Sequence, residues 1–355
     1  MTTLRRRPAP QSLLVVAARV EDQLRAVFEA ETARWTALDP DLADLLTPLE
    51  RLVMASGKRL RPAFCHWGFV AAGGHAGDEM EIDAGAALEL LQAFALLHDD
   101  VMDDSSTRRG MTTAHVAVAD NHDSAGWRGE SRRFGEGVAV LVGDLAHVYA
   151  DRLIAPCPPA ARAIWDELRI ELNVGQYLDV VATAQASFDR DRARLIARYK
   201  SGKYTIERPL HLGAAMAGRL DDLQAPLSAY GDALGEAFQL RDDLLGAFGD
   251  TELTGKPVGD DLREGKPTPL LAAALARADI SQGSVLSRVG EPDLRPAEVA
   301  AIQQAMSDCG AVAEIETAIE TLTERALTAL DGVELEGGAG AALAELAEYV
   351  AWRER

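Results

Sequence analysis

The segment Leu96-Leu97-His98-Asp99-Asp100-Val101-Met102-Asp103-Asp104 sets four carboxylates within six residues at the end of an apolar stretch. In a helix, Asp99 and Asp103 would stand one turn apart on one face, where like charges repel. They would also lie near a helix C-terminus, where the macrodipole disfavours anions. A cation must offset that arrangement. Carboxylates suit hard divalent ions, and Mg2+ is held by one or two of them while phosphates and water complete its octahedron. A second cluster, Gln239-Leu240-Arg241-Asp242-Asp243-Leu244-Leu245-Gly246, repeats the adjacent aspartates near the end of another apolar stretch. Facing helices of a bundle build sites from inward side chains, so Asp99, Asp103 and Asp242 are candidate ligands around shared metal ions and a polyphosphate.

Basic residues accompany both clusters. Lys58 and Arg61 are spaced i, i+3 in GKRLRP, and Arg108 and Arg109 follow the first cluster directly. Lys203 lies in SGKYT, and Lys256 and Lys266 lie in two Gly-Lys-Pro triplets. Arginine offers a rigid fork of donors and lysine a point charge, the two chemistries used on phosphoryl oxygens. Any one of these lysines alone is an ordinary surface charge. Their combination with paired acidic clusters points to a phosphorylated substrate.

The elements that must position these groups are helices. Leu13, Val16, Val20, Leu24, Val27 and Phe28 follow a helical period with Ser12 as an N-cap, similar patterns recur throughout, and strand-like alternation is nearly absent. The fold class is therefore all-α. Breaks fall at 71–77, 121–137, 155–159, 251–269, 283–296 and 334–340, none of them a long linker. We expect one large helical domain over residues 11–355, preceded by a disordered tail over 1–10. The stretch after Leu270 shows helical periodicity alone and is expected to pack against the bundle.

Composition narrows the partners. A net charge of −20 and a pI near 4.8 argue against nucleic acid. Three scattered cysteines form neither a disulfide framework nor a zinc site, which points to a reducing cytoplasm. Leu13 to Ala18, behind Arg5, Arg6 and Arg7, is shorter than the ~7 to 15 residues of a secretory core. No stretch approaches the ~18 apolar residues of a membrane span. His66, His98 and His115 lack a nucleophile partner pattern and read as structural.

Taken together, the motifs resemble the trans-isoprenyl diphosphate synthases of the polyprenyl synthetase family, from about Leu45 to Leu270. The elements are GKRLRP at 57–62, Gln92, HDDVMDD with DDxxD at 99–103, RRG at 108–110, VGD at 142–144, GKYT at 202–205, FQLRDD at 238–243 and GKPVGDDLREGKPT at 255–268. The resemblance implies an all-α bundle around a central catalytic cavity, usually a homodimer. It implies a Mg2+-dependent prenyltransferase that joins isopentenyl diphosphate to allylic diphosphates of the dimethylallyl, geranyl and farnesyl series. About three Mg2+ ions per site are implied, with Asp99, Asp103 and Asp242 as ligands and Asp100 and Asp243 in support. Arg108, Lys203 and Lys266 would hold the allylic diphosphate, and Lys58, Arg61, Gln92 and Arg109 the isopentenyl diphosphate. Thr205 and Gln239 would line the path of the developing cation, and Lys256 would help close the site.

One position departs from the family pattern: Gly246 stands where a third aspartate is usual, with Asp250 a candidate substitute. For product length, Phe94 and Ala95 occupy the fifth and fourth positions before Asp99. One aromatic beside one small residue resembles geranylgeranyl (C20) synthases. A farnesyl or longer-chain synthase, a class I terpene cyclase and a weakly active regulatory subunit are the alternatives.

Overall fold

The protein is described by a computed structural model covering residues 7–55, 57–108, 110–185, 190–249, 259–266, 268–291 and 293–353, with only the backbone given for Arg190, Ala193 and Asp260. Among these residues the chain is helical apart from one two-residue hairpin, in agreement with the all-α expectation. The helices are α1 Gln11–Leu38, α2 Thr47–Met54, α3 Leu60–Ala71, α4 Glu79–Met102, α5 Ala114–Ser124, α6 Ser131–Ile154, α7 Pro159–Ala184, α8 Arg190–Ile196, α9 Arg208–Met216 and α10 Leu220–Phe248. Beyond α10 follow α11 Asp260–Glu264, α12 Pro269–Arg277, α13 Ile280–Leu286, α14 Pro296–Asp308, α15 Ala311–Thr328 and α16 Ala339–Trp352. A π-helix, Ala197–Glu207, joins α8 to α9.

Helix α4 opens on Asp78, whose side chain accepts from the Met80 amide, with Glu79 and Glu81 in the first turn. From Ala84 to Leu91 every residue is buried, so this helix is packed on all sides and runs through the interior. Two apolar clusters surround it and its counterpart α10. One gathers α1, α2, α4, α6 and α7; the other gathers α10 and the helices from α12 to α16. Helices α3 and α9 contribute to both, through Phe64 and Leu210 on one side and Cys65 and Leu212 on the other. The first aspartate cluster thus ends a helix of one core and the second ends a helix of the other. The region after Leu270 packs on α10, as expected.

The break placed at 121–137 is narrower than expected. Helix α6 already starts at Ser131, because the Glu130 carboxylate accepts from the amides of Arg132 and Arg133 and caps it. Among the described residues no helix is long and apolar enough to cross a membrane.

The π-helix is wedged by glycines. A Cβ on Gly175 of α7 would lie 2.5 Å from the Lys200 amide nitrogen, and one on Gly235 of α10 would lie 2.7 Å from the Gly202 Cα. Only side chains of hydrogen let the three backbones approach this closely. A π-helical stretch has i→i+5 bonds, and such stretches frequently occur at functional sites.

Candidate active site

The last turn of α4 carries the first cluster. Asp99 Oδ1 accepts from Gln176 Nε2 of α7 at 2.7 Å and from Lys200 Nζ of the π-helix at 3.3 Å. Its Oδ2 lies 3.3 Å from Arg108 Nη2. Arg108 Nε also donates to the buried Asp100 at 2.5 Å. That reach depends on the hairpin, Thr107–Arg108 paired antiparallel with Met111–Thr112, where Gly110 takes φ of 73°. Lys200 Nζ is shared with Asp179 Oδ2 at 2.6 Å.

The electrostatics follow from this packing. Burial pushes the Asp99 carboxyl up, but Lys200 and Arg108 outweigh it and hold the group below its ordinary range. Asp103, at the helix C-cap, is raised by burial and by the Asp99 charge. A divalent cation would relieve that repulsion.

The second cluster ends α10. Asp242 Oδ1 accepts from Arg353 Nη2 at 2.5 Å and lies 3.6 Å from Lys58 Nζ. Asp243 accepts from Gln239 Nε2 at 2.9 Å through Oδ1. Lys266 Nζ stands 2.6 Å from Glu264 and 3.6 Å from Asp261, and its charge acts on both Asp103 and Asp243. Lys266 thus acts on carboxylates of both clusters, which look onto a common space with Arg108, Lys200, Arg353, Lys58 and Lys266 from five separate segments beside them.

Divalent ions fit this donor set. Among the described residues no three acidic, histidine or cysteine groups converge as a closed cage. Open pairs of carboxylates are what Mg2+ uses when substrate phosphates and water supply the remaining ligands.

Residues 43–309 match the family model described as polyprenyl synthetase. The chain belongs to the polyprenyl synthetase family. Like other polyprenyl synthetases it is a trans-prenyltransferase. It is 32% identical over 297 residues to the geranylfarnesyl diphosphate synthase of Aeropyrum pernix, covering 79% of this chain and 85% of that one. It is 36% identical over 231 residues to the geranylgeranyl diphosphate synthase of Mycobacterium tuberculosis, covering 63% of this chain and 61% of that one. A geranylgeranyl pyrophosphate synthase of Corynebacterium glutamicum, solved with isoprenyl diphosphate and magnesium, superposes with a TM-score of 0.87 at 38% identity, over 98% of this chain and 100% of that one.

Within the polyprenyl synthetase fold, most of the expected residues gather on the common space. Asp99, Asp100, Asp103, Arg108, Lys58, Asp242, Asp243, Gln239 and Lys266 lie as described. Arg61 stacks over the Tyr204 ring at 4.2 Å and donates to Thr205 Oγ1 at 2.9 Å. Gln92, Phe94 and Ala95 are half-buried on α4 below the aspartates. Phe94 stacks on His147 at 4.8 Å between centroids and meets His98 edge-on at 4.7 Å. Arg109, Lys256 and Asp250 lie outside the described residues.

Lys203 is the exception. Expected at the allylic diphosphate, it is instead buried against Glu171 at 2.9 Å and Glu207 at 3.5 Å. The cation beside Asp99 is Lys200, three residues earlier. The π-helical winding turns the two lysines to different neighbours, and Glu171, also bound by Arg208 at 2.6 and 2.7 Å, claims Lys203. Sequence reasoning missed Gln176, Asp179 and Arg353 as well. Gln176 and Asp179 are spaced i, i+3 on α7 beside Gly175, a signal available in the sequence. Arg353 carried none.

Proposed function

We propose that the chain condenses isopentenyl diphosphate with an allylic diphosphate to a chain five carbons longer, ending at C20. The observation that carries this reading is the pairing of Asp99 with Lys200 and Arg108 across from Asp242 with Lys58, bridged electrostatically by Lys266. Asp99, Asp103 and Asp242 would hold about three Mg2+ ions, which supply charge neutralisation of the leaving diphosphate. Arg108, Lys200 and Lys266 stabilise the same negative charge as the allylic C–O bond breaks. Lys58 and Arg61 hold the second diphosphate. Its double bond attacks the allylic cation to form the new C–C bond, and a proton is lost to the released diphosphate. Water would trap the cation, and the apolar faces of α4 and α6 below the aspartates keep it out.

Chain length turns on the floor beneath Asp99. Ala95, one turn down, leaves a gap, while Phe94 is fixed by His147 and His98. The geranylfarnesyl name of the Aeropyrum relative favours one alternative, a C25 product. Incubation with Mg2+, isopentenyl diphosphate and each allylic diphosphate, with chromatography of the products, tests the reading. Cyclic hydrocarbons formed without isopentenyl diphosphate, or no turnover unless a partner protein is added, would refute it.

Two copies are expected to pair through α6 and α7. Leu141 and Val148 on α6 and Ile170, Val174 and Tyr177 on α7 are exposed, with Leu141 62% and Tyr177 69% accessible. The spacings i, i+7 and i, i+4, i+7 make one apolar stripe on each helix. Light scattering should give a dimer that Leu141→Arg with Ile170→Glu converts to monomer. The three cysteines are unpaired, which suits the cytoplasm.

A further inference from the structure

Residues i and i+3 share a face of an α-helix, so Lys200 and Lys203 would point the same way if residues 197–207 were wound as one. They do not. Lys200 Nζ reaches Asp99 and Asp179, while Lys203 Nζ lies 2.9 Å from Glu171 and is buried with it. The backbone bond that closes the stretch, from the Arg208 amide to the Lys203 carbonyl, is of the i→i+5 kind. Winding of that kind is what parts the two lysines.

One face of α7 holds this winding at three successive turns. Glu171 takes the Lys203 side chain, Gly175 admits the Lys200 backbone, and Asp179 takes the Lys200 side chain, at spacings i, i+4 and i+8. Glu171 also accepts from Arg208 through both carboxylate oxygens, at 2.6 and 2.7 Å. It therefore binds the side chains of the same two residues that make the closing i→i+5 bond. From the other side, Ser228 of α10 donates to Glu207 at 3.0 Å, and a Cβ on Gly231 would lie 2.8 Å from the Glu207 Cα.

Stability alone does not account for this cluster. Glu171, Lys203 and Arg208 are each no more than 9% exposed. Buried ion pairs are often matched or bettered by apolar side chains of similar volume, and their best-attested use is to select one register over another. The register at stake here is the one that sets Lys200 on Asp99. We propose that Glu171 is a positioning residue: by binding Lys203 and Arg208 it holds residues 197–207 in the π-winding and so aims Lys200 into the reacting space. This rests on the diphosphate-synthase reading above, in which Lys200 stabilises the departing diphosphate. Glu171 keeps its bonds from Arg208 when Lys203 is truncated, so the carboxylate and not Lys203 is the group to remove.

The test is a double-mutant cycle read by the single-turnover rate of condensation, with KM for isopentenyl diphosphate and a thermal melt on each full-length variant. Glu171→Gln keeps the shape of the side chain and removes its charge. It should lower the rate by about 10- to 100-fold, the effect of displacing a positioned group by about an ångström, and change KM less than the rate. Made in the Lys200→Ala variant, the same substitution should lower the rate no further, because the group it positions is gone. Replacing Glu171, Lys203 and Arg208 together by methionine should melt at or above Glu171→Gln while the rate stays low, and this triple variant carries the test if Glu171→Gln does not fold. A parental rate in Glu171→Gln or in the triple variant, whatever the melt, overturns the proposal, as do losses that multiply in the Lys200→Ala variant. If Lys200→Ala itself turns over at the parental rate, the role given to Lys200 in the diphosphate reading fails instead.

Discussion

The fully buried guanidinium of Arg353 reaches 2.5 Å to the carboxylate of Asp242, tying the end of α16 to the second aspartate cluster. It also donates to the carbonyls of Val350 and Phe238 and stacks on the Phe238 ring at 4.2 Å. Replacing it by methionine leaves a carboxylate without this counter-charge and two carbonyls without donors. A buried pair broken from one side costs roughly 3 to 5 kcal/mol, and the partial exposure of Asp242 reduces that to about 2 kcal/mol. Urea denaturation of Arg353→Met measures it; a loss within experimental error would show that the contact contributes nothing.

The two π-helical lysines should behave oppositely. Lys200 lies on Asp99 in the reacting space, so Lys200→Ala should reduce kcat/KM by roughly 10²- to 10³-fold, the effect of removing one charge-stabilising donor. Lys203 sits on the buried Glu171, so Lys203→Ala should instead cost about 1 to 3 kcal/mol of stability with a smaller kinetic effect. Steady-state kinetics beside thermal melts decide between them. The reverse ranking would return Lys203 to the diphosphate.

Phe94→Ala should lengthen the product by one or more five-carbon units, because it removes the ring that His147 and His98 hold beneath Ala95. Product chromatography against standards reads the outcome. An unchanged product would move the floor of the site elsewhere.

His211, fully buried with Nδ1 facing Arg208 Nη1 at 3.4 Å, is pushed down to about 4 by burial and by the Arg208 charge. The unfolded chain therefore takes up a proton near pH 6.5 that the folded chain refuses until about pH 4. The stability is complete above pH 6.5 and falls as pH drops through that window, by about 2 kcal/mol between pH 7 and 5. Urea midpoints for the parent and His211→Gln over this range measure it. Identical slopes would exclude His211 as the source.

Much of this site was legible in the sequence because its chemistry is written in short, local patterns. The aspartate clusters, Arg108, Lys58 and Arg61 are each recognisable from neighbours within a few residues, and helical periodicity sufficed to place them on helices. Lys200 was not, because nothing local announces that residues 197–207 wind as a π-helix. That winding depends on glycines 175 and 235, which lie on other helices. Arg353 lies 111 positions from Asp242, and Asp261 meets Gly246 only through the packing of α11 on α10. Contacts of that kind belong to tertiary structure and leave no trace in spacing.

The basic loop ahead of α3 carries its own constraint. Arg59 adopts φ of 50°, a left-handed conformation costly for a residue with a Cβ, and its guanidinium is buried among Glu21 of α1, the Val53 carbonyl of α2 and Glu89 of α4. Three helices thus fix the backbone between Lys58 and Arg61. The entropy of ordering these two cations is lost during folding, when the core is made, so an arriving diphosphate does not bear it. With Lys58 and Arg61 holding a diphosphate as proposed, affinity at that end of the site would be a property of the whole helical bundle, set as much by Glu21 and Glu89, which fix Arg59, as by the two cations themselves.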